Sequence, residues 1–373
     1  MQKDIFNDIK TLSEQHQAFD LSLESIEFPC PDMLALLANI YIKEGYNNYP
    51  PVEGIYSLRE RISILIKKTR QINFDPEKEI TVTSGIAQTV SAIISAFINE
   101  GDEVILFEPA DIFYNPAIKL SGGSPVFVTL KQPDFHIDWE EVRKMISTKT
   151  RMIIINSPHN PTGKVLSEED LLHLQKLTNG TNIIVVSTEH FEHLTYDNKQ
   201  HKSVACFEKL LSKSFVISSL GAVFNINGWC ISWCLAKEPL MSKFREVHQS
   251  QISSTITPLQ YALSEFLKTY NNNFAEVTTF YQGKRNYFNR LMKDSPYTLL
   301  PSQGTYFQMI DFSNISDETD IEFAKRLITE NNVAVMPISA FLTQKSKSKL
   351  LRICFAKENS TLEQAADLLI KNI

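Results

Sequence analysis

The stretch NSPHNPTGKVLSEEDL, residues 156–171, decides how the rest of the chain is read. It follows the apolar run RMIIINSP and leads into a helical pattern. Asn-Pro and Thr-Gly punctuate a tight turn. The string SEED then supplies a capping serine and first-turn carboxylates, which is how a helix starts. Taken alone, this is a strand–turn–helix connection. Its place at a strand's carboxyl end also puts it on the edge where open α/β sheets bind ligands.

Working outward, short β-rich runs alternate with helical spacing on both sides of this turn. EITVTSG, DEVILFEP, SPVFVTL, NIIVVST, SFVISSL and WCISWCLA are further strand candidates. Several are apolar without alternation, as strands covered on both faces should be. The pattern predicts helices over 139–147, 168–177 and 237–251. Such alternation predicts a doubly wound, mostly parallel α/β sheet. After about residue 274 the texture changes. A long helical stretch, AEVTTFYQGKRNYFNRLMK, precedes YTLLPSQGTYFQMIDF, a helix over 320–331, the runs VAVMPIS and LLRICFA, and a terminal helix. That predicts a smaller α+β domain. The expected division is a large domain over 46–274, with 1–45 and 275–373 forming the small one.

Bulk properties exclude several classes. The chain has 373 residues, 43% of them hydrophobic, enough to bury a substantial core. Its formal net charge is −6, and no Lys/Arg block is long enough for a nucleic-acid groove. The cluster QKSKSK, residues 344–349, reads as a solvated loop. Five scattered cysteines with no CxxC predict neither a zinc site nor a disulfide framework, and a reducing cytoplasm fits that pattern. The polar start MQKDIFNDIKTLSEQ is not a signal peptide, and no apolar run reaches the ~18 residues of a membrane span.

In order and spacing, NNYPPVEGIYSLRERI, ITVTSG, NSPHNPTG, INGW, QGTYFQMIDFS and LRICFAKENSTL resemble the fold-type I aminotransferases that use pyridoxal phosphate. Within them the chain is most similar to the methionine and kynurenine/glutamine-type enzymes. The resemblance covers nearly the whole chain and implies their fold and a homodimer. In that family a lysine forms an imine with the cofactor and an aspartate pairs with the ring nitrogen. A tyrosine and an asparagine bond the phenolic oxygen, an aromatic ring stacks on the cofactor, and an arginine clamps the substrate carboxylate.

Position by position, the resemblance places Ala222 at the lysine, Thr188 at the ring aspartate and Phe191 at the tyrosine. It places Asp111 at the stacking aromatic, Cys230 at the phosphate cation and Glu24 at a glycine lining the substrate pocket. Asn160, the phosphate serine Ser219, the carboxylate clamp Arg352 and the intersubunit Tyr49 persist. The turn Ser84–Gly85 still feeds a helix N-terminus, a natural anion site. Lys164 and Lys213, the lysines nearest the site loops, read as solvated surface residues. One lost charge-assisted contact costs roughly 1.5–3 kcal/mol, and losing the phosphate cation, the ring aspartate and the covalent imine together leads to an expectation of a repurposed enzyme without cofactor or metal. Ordinary transamination is not expected. Asp111, Glu24 and His190 are its candidate acids and bases. Arg352, Asn160 and Tyr49 would bind a small amino-acid-like molecule. His193 reads as a packed structural histidine. A silent partner or ligand sensor, and a protein holding pyridoxal phosphate non-covalently, are the alternatives. No nucleic-acid or membrane partner is expected, and the expected location is the cytoplasm.

Overall fold

The computed structural model describes residues 2–270, 274–344 and 347–371. A helix (Gln2–His16) and the short strand β1 (Phe19–Asp20) open the chain. The main sheet contains β2 (Ile80–Thr83), β3 (Glu103–Glu108), β4 (Ser124–Thr129), β5 (Thr150–Asn156), β6 (Ile184–Thr188), β7 (Ser214–Ser218) and β8 (Ser232–Leu235). Their spatial order is β2-β8-β7-β6-β5-β3-β4. Neighbours pair in parallel except that β8 runs antiparallel to both β2 and β7. This is the mostly parallel doubly wound sheet expected, with one reversed strand.

Both faces of the sheet are buried. Along β3, Ile105 and Phe107 pack into one apolar cluster, while Val104 and Leu106 pack into a second on the other face. Ile153 and Ile155 divide from Met152 and Ile154 in the same way along β5. Period-two side-chain direction sends successive apolar residues to opposite helical layers. That is why these strands read as unbroken apolar runs.

A second sheet combines β9 (Thr298–Leu299), β10 (Phe307–Asp311), β12 (Met336–Pro337) and β13 (Leu350–Cys354), in the order β12-β13-β10-β9. The strand β11 (Val333–Ala334) leaves that sheet and pairs in parallel with β1. VAVMPIS is therefore two short strands serving two sheets. WCISWCLA likewise divides, into a 3-10 turn over Asn227–Trp229 and the strand β8. Part of QKSKSK, Lys345 and Ser346, lies outside the described residues. Lys349 is not a solvated loop residue: its ammonium donates to the Glu318 carbonyl and lies over the Phe312 ring.

The turn at 156–171 is built as its sequence demands. Ser167 caps the helix Glu168–Thr178 in a reciprocal capping box with Asp170. Gly163 has a φ of +71°, and a Cβ there would lie 2.9 Å from both the Gly304 carbonyl oxygen and Ser302 Oγ. The His159 amide donates to the Lys164 carbonyl at 2.7 Å, and Gly163 donates back to His159 at 2.8 Å. The turn thus locks against the 302–304 loop leading to the second sheet. Gly163→Ala should cost about 2 kcal/mol, combining left-handed strain with a steric clash. Denaturant unfolding measures this, and an unchanged midpoint would contradict it.

Candidate active site

Loops at the carboxyl ends of the parallel strands converge on one cleft. Ser84 and Gly85 follow β2, Asp111 follows β3, Asn160 follows β5, His190 follows β6 and Ser219 follows β7. Together with Glu24, Ala222 and Cys230 they line a cavity of about 430 Å³. This is the ligand edge of a doubly wound sheet.

One end of the cleft is an anion cradle. Gly85 caps the helix Ile86–Phe97 with a φ of +90°, and Ser84 to Ala87 face the cavity. The first amides of that helix carry the positive end of its dipole. Ser219 Oγ stands beside them, accepting from the Gly221 amide at 3.0 Å and donating to the Ile231 carbonyl at 2.8 Å. Cys230 is exposed at the rim, in the left-handed region at φ +51°.

The other end is charged. Arg352 is 1% exposed, and its guanidinium carbon lies 4.0 Å from the Phe307 ring centre and 4.7 Å from that of Phe341. Its Nη1 donates to Asn160 Oδ1 at 2.9 Å and its Nη2 to the Ser22 carbonyl at 2.8 Å. Asn160 Nδ2 donates in turn to Glu24 Oε1 at 2.9 Å, and that carboxylate lies 4.0 Å from Arg352 Nη1. The Tyr306 hydroxyl reaches Glu24 Oε2 at 3.4 Å. Asp111 is half-buried in the same cleft. Burial and the Glu24 charge push its carboxyl up to about 7, although Arg352 works the other way.

The expected site residues do not all meet here. Asp111, Glu24, His190, Asn160, Ala222, Cys230 and Ser219 line the cleft, while Arg352 stands behind Glu24 and Asn160. Tyr49 is 84% exposed and belongs to a separate surface depression with Tyr46, Pro50 and Tyr261. Thr188 is buried beneath the cleft, its hydroxyl 3.1 Å from that of Tyr114. Phe191 is buried against Tyr306 and Phe307. His193 stacks on Phe274 with ring centres 3.6 Å apart, a packing role. Neither Lys164 nor Lys213 is the free surface lysine expected: Lys164 pairs with Asp134, and Lys213 donates to the Thr178 and Thr181 carbonyls. Both are tied down away from the cleft.

Sequence reasoning missed what holds the β6 loop. Arg70 reaches across to Glu192 and, at 3.0 Å, to Glu189. Burial pushes the Glu192 carboxyl up, but Arg70 outweighs it and holds the group at about 2. The run of acids and histidines in STEHFEH was a signal for a buried cation, but its partner lies more than a hundred residues earlier.

Burial pushes the imidazoles of His159, His190 and His193 from 6.5 down to about 4. Between those values the folded chain keeps them neutral while the unfolded chain protonates them, so each removes stability as pH falls. Asp111 acts in the opposite sense. With a folded value of about 7 against 3.8, it takes up a proton on folding in that range and adds stability as pH falls. Three groups against one leave a net loss. The thermal midpoint should fall as pH is lowered from 7 to 4.5, and Asp111→Asn should fall more steeply. A flat profile by calorimetry would contradict this.

The family profile of class I and II aminotransferases matches residues 20–369. Methionine aminotransferase of Escherichia coli (strain K12) is 36% identical over 365 residues, spanning 98% of this chain and 95% of that protein. The kynurenine–oxoglutarate transaminase of Dictyostelium discoideum is 33% identical, over 88% of this chain and 84% of that one. Among solved structures, a methionine aminotransferase from Escherichia coli superposes with a TM-score of 0.96 at 35% identity, covering 98% of this chain and 97% of that one. N-succinyldiaminopimelate aminotransferase from Mycobacterium tuberculosis gives a TM-score of 0.94 at 29% identity, covering 98% and 96%.

These matches overturn the expectation of a repurposed enzyme working without pyridoxal phosphate, and with it the silent-homologue alternative. Over nearly its whole length the chain matches proteins named for amino-group transfer.

Proposed function

Because the chain belongs to the class I and II aminotransferase family, we propose that it transfers the amino group of a small, amino-acid-derived substrate with the help of pyridoxal phosphate. The observation that carries this is the anion cradle of Ser84 to Ala87 and Ser219, opening on a cleft whose far end holds Asp111, Glu24 and Asn160. The cradle fits the cofactor's phosphate, since backbone amides at a helix start bind anions without a further cation.

When bound, pyridoxal phosphate supplies a carbonyl that accepts amino groups and a ring that withdraws electrons from the α-carbon. The protein's part is binding, orientation and proton movement. Ser219 and the amides of residues 85–87 would hold the phosphate. Ala222 is a small buried side chain in the cleft wall and leaves room at that position. Asp111, with its carboxyl raised to about 7, exchanges a proton near neutral pH and is the residue proposed to move it at the substrate carbon. His190 is half-buried in the same cleft wall, with Nδ1 unpartnered, and is proposed as an uncharged hydrogen-bonding group.

We propose further that the working unit is a homodimer in which exposed Tyr49 completes the partner's cleft. Met33, Leu36, Tyr46, Tyr56 and Ile256 are also exposed, an apolar set that a second copy would cover.

Two variants test this. Ala87 is exposed at the helix start, where a carboxylate is compatible with the fold but repels a phosphate. Wild-type protein titrated with pyridoxal phosphate should keep a shifted absorbance band through dialysis, and Ala87→Asp should lose it. Asp111→Asn should keep the band yet transfer the amino group of methionine to a 2-oxo acid at least ~100-fold more slowly. A spectrum of free cofactor that washes out of the wild type would sink the proposal.

A further inference from the structure

Arg352 is the group that the resemblance assigns to a substrate carboxylate, yet its polar partners are already supplied by the chain. Asn160 takes Nη1, the Ser22 carbonyl takes Nη2, and the Glu24 carboxylate sits 4.0 Å from Nη1 while accepting from Asn160 Nδ2 at 2.9 Å. Glu24 therefore makes the contacts that an incoming carboxylate would make: one to the asparagine amide and one to the guanidinium. It also forms part of the cleft wall, with Arg352 behind it, so a ligand meets Glu24 before the arginine. The remaining Arg352 nitrogen, Nε, is buried without a partner, so the guanidinium still has unused donor capacity.

Charge bookkeeping points the same way. One guanidinium faces two acidic side chains, Glu24 and Asp111, both on the cleft wall. A further carboxylate would face repulsion from Glu24 in a partly desolvated space, whereas an ammonium group would face attraction.

We propose that Glu24 is an internal carboxylate occupying the Arg352–Asn160 anion site, and that it directs the cleft towards amines whose α-carbon carries no carboxylate. The proposal rests on the reading of this cleft as the substrate site. It makes Glu24 a specificity-determining residue and the substrate class a primary amine of amino-acid origin. Glu24 lies on the irregular segment between β1 and the helix Asp32–Lys43, with its side chain 41% exposed. Its replacement removes no core side chain and leaves Arg352 held by Asn160 and the Ser22 carbonyl.

The test uses methionine and its carboxylate-free analogue 3-(methylthio)propylamine, titrated calorimetrically into the full chain loaded with pyridoxal phosphate. Wild-type protein should bind the amine at least tenfold more tightly than methionine. Glu24→Gly should reverse the order, tightening methionine at least tenfold and weakening the amine. Glu24→Gln, which keeps the shape but not the charge, should fall between them. If wild type binds methionine as tightly as the amine and Glu24→Gly changes neither, the assignment of Glu24 is wrong while the cleft stands. If no protein binds either compound, the reading of the cleft falls together with that of Glu24.

Discussion

A guanidinium taken out of water is the constraint on which this structure depends. Arg352 sits in the middle of β13, between Met309 and Met336 on its neighbouring strands, and is sealed by two aromatic rings. An unpaired buried charge costs several kcal/mol. The chain meets that cost by drawing in Asn160 from the main sheet's loop and Ser22 and Glu24 from the N-terminal segment. Three regions far apart in sequence are fixed relative to one another by a single side chain. The cleft between them is a consequence.

The main sheet supplies the other half of the site through its topology. Parallel strands deliver their loops to one edge, so residues following β2, β3, β5, β6 and β7 meet without being close in sequence. The buried Arg70–Glu189–Glu192 cluster then anchors the loop after β6, and the Gly163 contact with residues 302 and 304 anchors the loop after β5. A rigid frame of this sort allows the groups facing the cavity to change while their positions stay fixed.

Much of this was legible in the sequence. Unbroken apolar strands, SEED at a helix start and the order of the motifs predicted the fold, because burial and capping are local properties. Asp111, Glu24, Asn160 and Ser219 came from the family resemblance and His190 from period-two alternation, and all five line the cleft. Three things were not legible. The Arg70 cluster and the covering of Arg352 by Glu24 depend on contacts across the whole chain. Lys164 and Lys213 are tied by partners that no local pattern identifies. Most consequentially, changes at the cofactor positions were read as loss of cofactor chemistry, although helix-end amides can hold a phosphate without the cation that Cys230 replaces. Identity over nearly the full length to named aminotransferases corrects that inference.

The most direct measurement is a crystal structure of the protein soaked with pyridoxal phosphate. The phosphate should lie on the amides of residues 85–87 beside Ser219, within the cleft that Ala222 and Asp111 line. Density for the cofactor elsewhere on the chain, or an empty cleft at saturating concentration, would contradict it.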